Sequence, residues 1–182
     1  MATKSNERKV IIAILLTSTL LTMLGIAGVL RGAYDLSLAP LPEDIRELYG
    51  PEDEVTDAEV QLLEAQVTHP YRRPLAAANV VVSALVLIGS FMLSWRRLVA
   101  LWWIKQAVVA KLIWIAAYTA SLVSHVKLTF APLPLEHPGG ALPEVIGGVI
   151  LVSTFSGALH LAAGYRATRP DISEFIEAST KN

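Results

Sequence analysis

The chain has 182 residues, no cysteine, and a formal net charge of −1 from 15 basic and 16 acidic side chains. It is 53% hydrophobic and only 17% charged, too apolar for an ordinary soluble domain of this length. The balanced charge excludes a basic nucleic-acid binder, and the missing cysteines exclude disulfides, thiolate metal sites and thiol nucleophiles.

The first apolar run, Val10–Leu30, carries no charge and is long enough to cross a bilayer, which needs about 20 residues. "MATKSNERK" before it resembles the start of a signal peptide. The run exceeds the roughly 7–15 apolar residues of such a signal, however, and "GVLRGAY" offers no small-x-small cleavage site. It therefore reads as an uncleaved membrane helix over 10–30. Ser18, Thr22, Gly25, Gly28 and Gly32 recur along it at helical spacing. Small residues let membrane helices approach closely, so Gly25, Gly28 and Gly32 are candidate packing positions.

Residues 31–73 follow as an acidic extracytoplasmic loop, with ten acids against four bases. It opens on "LSLAPLP" at 36–42, whose prolines stop a helix and continue extended. Farther on, Thr56 and Glu59 form a capping box, with Asp57 favourable in the first turn. Val60, Leu63 and Val67 share one face, broadened by Leu62, until His69-Pro70 ends the run. A short amphipathic helix is predicted, lying on the membrane surface or on the bundle. A docking surface for a basic partner is the alternative.

The second span, 74–95, carries Asn79, Ser83 and Ser90, with Asn79 and Ser83 as candidate packing residues. The third, 102–123, is unusual. Lys111, Trp114, Tyr118, Ser121 and His125 follow at steps of three, four, three and four, one helix face. Lys105 lies off that face and is placed to snorkel past Trp102. A lysine near the bilayer centre costs roughly 2.5–3.5 kcal/mol. No Asp or Glu lies inside any of the four runs, and Glu144 stands only at the mouth of the fourth. Three outcomes for Lys111 follow: snorkelling to a lipid phosphate, neutral hydrogen bonding inside the bundle, or pairing with a carboxylate from another subunit or a ligand.

"LTFAPLP" at 128–134 repeats the earlier phrase 92 residues on, and the same shift lays helix 10–30 over 102–122. The chain thus reads as two pseudo-repeated hairpins related by an axis along the membrane normal. "HPGGALPE" makes a turn into the fourth span, 143–165, whose Ser153, Gly157, His160 and Gly164 form another stripe. His160 is expected to be a hydrogen-bonded packing residue. His69, His125 and His137 match no zinc spacing. The cytoplasmic tail, 166–182, is predicted to hold a short helix capped by Asp171 and Glu174, with Ile172, Phe175 and Ile176 on its apolar face.

The expected fold is an all-α integral membrane protein of four transmembrane helices in a plasma or inner membrane. Both termini are placed in the cytoplasm, because that puts Lys4, Arg8, Lys9, Arg96, Arg97, Arg166, Arg169 and Lys181 inside. Only Arg31, Arg46, Arg72, Arg73 and Lys127 are then outside. No nucleophile motif, phosphate loop or dinucleotide fingerprint is present, and no cofactor or metal is expected. The leading expectation is a non-catalytic accessory or assembly subunit. It would contact lipids, and a protein partner or second copy, through its transmembrane helices or acidic loop. Lys105, Lys111, Trp114, Tyr118, His125 and His160 are the candidate contact residues. The alternative is a small oligomeric transporter or channel lined by Lys111, Tyr118 and His160. An intramembrane enzyme acting on lipid would need a nucleophile or base that the sequence does not display.

Overall fold

A computed structural model describes residues 2–37, 57–130 and 141–180. Among them there is no strand, and the elements are α1 (Ala2–Ser37), α2 (Asp57–Thr68), α3 (Arg72–Ser94), α4 (Val99–Phe130), α5 (Ala141–Ala167) and α6 (Pro170–Thr180). Four segments are long and apolar enough to cross a membrane: Asn6–Ser37, Arg72–Ser94, Val99–Leu128 and Leu142–Ala167.

α1 and α4 outrun their hydropathy-based boundaries. Hydropathy marks where hydrocarbon ends, whereas a helix continues until its backbone bonding is interrupted. The described parts of α1 and α4 run to Ser37 and Phe130, the second and third letters of the two repeated phrases. The remainder of both phrases, Arg46, Thr56, His137 and Lys181 lie outside the described residues.

α1 lies along α3, α3 along α4, and α4 along α5, while α1 and α5 meet over only a short stretch. The α1–α3 contact uses the predicted small residues. A methyl placed on Gly25 would sit 2.6 Å from Leu87 Cγ, and one on Gly32 would sit 2.9 Å from the Ala76 carbonyl. Thr22 and Ser90 hydrogen-bond across the same contact at 2.9 Å. Between α4 and α5, Gly164 abuts Val108 and Thr119 donates to Ser153 Oγ at 2.7 Å. Gly157 fits more loosely, 3.6 Å from Leu112. Two α4 indoles staple α4 to α3: Trp103 Nε1 donates to the Leu85 carbonyl and Trp114 Nε1 to the Leu75 carbonyl, at 2.9 and 2.8 Å.

Two short helices depart from expectation. On α2, Ala65 is fully buried, Leu62 packs beside it against Leu122 and Val126 of α4, and His69 follows one turn on. Among the described side chains of α2 the buried face is centred on Ala65, with Leu63 and Val67 only half-buried. A methyl side chain allows a closer crossing than the branched residues that hydropathy favours. α6 begins at Pro170, so Asp171 is inside its first turn instead of capping it. Its carboxylate pairs with Arg166 and Arg169 at 3.2 and 3.4 Å. Ile172 and Ile176 are fully buried in the bundle's main apolar cluster, so this face is covered by the chain itself.

Candidate binding site

Lys111 does not snorkel. It is only 3% exposed, and its Nζ donates to Asn79 Oδ1 and, at 2.9 Å, to Ser83 Oγ. Ser83 in turn donates to Asn79 Oδ1 at 3.2 Å, so its hydroxyl shows the lysine a lone pair. The Trp114 ring lies on a third side, its centroid 4.5 Å from Nζ. The amide of Asn79 donates to the Gly28 carbonyl of α1 at 3.0 Å. Asn79 thus joins three helices: α3, which carries it, α1 through Gly28, and α4 through Lys111. Every group around Nζ offers electron density and none offers a proton, the shell that an ammonium requires. Among the described residues no carboxylate pairs with it. Lys105, by contrast, is exposed on another face of α4.

Lys111 stands at the floor of a cavity of about 780 Å³ between α1, α4 and α5, with Asn79 of α3 below and α2 across its far end. Leu24, Ile115, Val145 and Val149 make apolar walls, with Trp114 and Tyr118 stacked at 5.1 Å beside them. Polar groups gather at the two ends. The rim has Arg31, Asp35, Gln66 and Glu144; the floor has Lys111, Asn79, Ser156 and His160. At the rim, Arg31 pairs with Asp35 at 3.1 Å and reaches Gln66 of α2 at 3.4 Å.

His160 is 2% exposed, and its Nδ1 is 2.8 Å from the Ser156 carbonyl. A carbonyl only accepts, so Nδ1 carries the hydrogen and Nε2 is left as an acceptor. That Nε2 is buried with no hydrogen-bond partner. His160 is therefore only half of the satisfied packing residue expected of it.

His125 lies on the same α4 face but serves another contact. Its Nε2 is 3.2 Å from Thr68 Oγ1, and its ring meets His69 edge-on at 5.1 Å. His69 Nδ1 accepts the Tyr71 N–H at 3.2 Å, which leaves Nε2–H to donate to Ser121 Oγ at 2.9 Å. This corner latches α2 over the cavity. Burial holds the His69 pKa below the usual histidine value and His125 acts in the same direction, against the hydrogen bond at Ser121. A depressed folded pKa means that the latch is strongest while His69 is neutral in both states. Below about pH 6.5 the undocked corner takes up a proton that the docked one refuses, so the latch weakens as pH falls. Hydrogen exchange of α2 amides between about pH 8 and pH 5 is expected to show rising exposure at the acid end, beyond the intrinsic rate change. His69→Gln should flatten that profile; an unchanged profile in the wild-type protein would refute the latch.

The Lys111–Trp114–Tyr118 face, His160 and Ser153 therefore come together at one cavity, while Lys105 and His125 do not join it. The rim pair Arg31–Asp35 and the partnership of Asn79 with Lys111 are additions that sequence reasoning did not make. The chain matches no protein-family model, no curated protein and no solved structure.

Proposed function

We propose that this chain is a non-catalytic membrane protein that works by holding another molecule, in an accessory or assembly role, with Lys111 as the anchor for an anionic group. One observation carries this reading: a buried cation faces a cavity of about 780 Å³ with only uncharged partners. Asn79, Ser83 and Trp114 solvate the ammonium but do not neutralise it, and a lysine deep in hydrocarbon costs roughly 2.5–3.5 kcal/mol. An anion entering the cavity supplies the missing charge, and charge-assisted bonds are about twice as strong as neutral ones. With both termini in the cytoplasm, the rim opens toward the outer face.

Purification in a gentle detergent followed by mass analysis tests the reading. The wild-type protein is expected to carry a bound lipid, small molecule or protein, and Lys111→Met to lose it by about tenfold or more. A wild-type chain that is alone and unliganded would overturn it. A transporter is the second reading, favoured by the cavity's run from Lys111 to the rim, half of a path across the bilayer. Substrate flux in liposomes that Lys111→Met abolishes would promote it.

A further inference from the structure

Resting on that reading, we propose that the occupant is an organic carboxylate with a single apolar chain, its carboxyl group shared between Lys111 Nζ and His160 Nε2. The floor offers one monovalent cation without a counter-charge and one buried imidazole nitrogen without a partner. A carboxyl group answers both with its two oxygens. One oxygen of the carboxylate accepts from Lys111 and balances its charge; the other meets Nε2 through one further proton taken up from water and held between oxygen and nitrogen. Engaging both groups therefore consumes one proton and leaves the site with the one net positive charge it had before, and Nδ1 stays bound to the Ser156 carbonyl. A larger zwitterionic or polyhydroxylated headgroup would need further polar partners at this depth, where the neighbouring walls are apolar.

The walls describe the remainder of the ligand. From Lys111 to Leu122, both lining the cavity, α4 rises about 16 Å, close to half of the roughly 30 Å hydrocarbon core. A space of about 780 Å³ is within the range of roughly 300–1,000 Å³ that encloses one small ligand. Access is lateral, where α1 and α5 draw apart: Ala27 and Val152 line the cavity from either side, yet both are exposed. An apolar chain can enter there from the bilayer without crossing water.

Oleate labelled with ¹³C at its carboxyl carbon is the probe, with the full chain in phosphatidylcholine nanodiscs. The expected result is a saturable, one-to-one bound carboxyl resonance distinct from the bilayer pool. Methyl oleate, which lacks the charge, and hexanoate, a carboxylate arriving from water without the chain, should each bind about tenfold or more weakly. Lys111→Met should remove the resonance, and His160→Phe should weaken binding several-fold. The comparison of oleate with methyl oleate needs no variant and survives any folding defect. No saturable resonance, equal binding of methyl oleate or hexanoate, or displacement of oleate by lysophosphatidylglycerol would each overturn the proposal. If oleate fails while the protein still carries another molecule that Lys111→Met releases, the carboxylate assignment falls and the broader reading stands.

Discussion

Asn79→Leu is expected to destabilise the fold by about 2–4 kcal/mol, and adding Lys111→Met should recover most of that loss. Three hydrogen bonds end on Asn79: to the Gly28 carbonyl, from Lys111 and from Ser83. Two of the three cross between helices, where such bonds average about 0.6 kcal/mol, so their direct loss amounts to roughly 1 kcal/mol. The remainder comes from the ammonium, which leucine leaves with Ser83 and the Trp114 face alone. Removing one partner of a buried polar pair is costly because the other stays buried, whereas removing both is often neutral. Lys111→Met by itself should therefore be within about 1 kcal/mol of wild type, and the cycle should show a coupling of about 1–3 kcal/mol. Unfolding titrations of the four proteins in bicelles measure it. Additive losses would mean that Asn79 and Lys111 do not act as a unit.

The parts of this molecule that could be read from its sequence are those with a single physical explanation. A run such as Val10–Leu30 has no stable home but hydrocarbon, and four such runs gave the four long helices. The positions Gly25, Gly28 and Gly32 repeat at helical spacing, so their use as a contact face was legible too. Depth was also available: Ser83 and Lys111 each stand fourteen residues from Arg97 in the α3–α4 turn. Azimuth was not. Nothing in the spacing of Asn79 and Ser83 says whether that stripe turns to α1 or to α4, and Asn79 in fact touches both. Ala65 escaped because hydropathy ranks a methyl below Val60 or Leu63, although close helix crossings favour small side chains. The cavity escaped for a different reason. It exists where α1 and α5 fail to close on each other, and residue patterns report contacts made, not contacts withheld.

Gly28→Ala is expected to destabilise the protein by about 1–3 kcal/mol and to weaken whatever Lys111 binds. A methyl at Gly28 would lie 2.2 Å from Ser83 Oγ, 2.9 Å from Ser83 Cβ and 3.1 Å from Lys111 Nζ. Rotating the Ser83 hydroxyl away relieves the first clash, but it breaks that hydroxyl's bonds to Lys111 and Asn79. The Cβ contact has no such escape, because Cβ is fixed to the α3 backbone; α1 and α3 must separate, stretching the Asn79 bond to the Gly28 carbonyl. Overpacking of this kind typically costs 1–3 kcal/mol and outweighs the roughly 0.5–1 kcal/mol that alanine gains over glycine within a helix. Gly147→Ala isolates that helical gain, since a methyl there meets nothing within 4 Å. The two substitutions are chemically identical, so helix propensity predicts the same sign for both, whereas the close crossing predicts opposite signs. Equal stabilisation in a bicelle unfolding titration would show that α1 and α3 are not pressed together at Gly28, and Lys111 would then lose the wall that confines it.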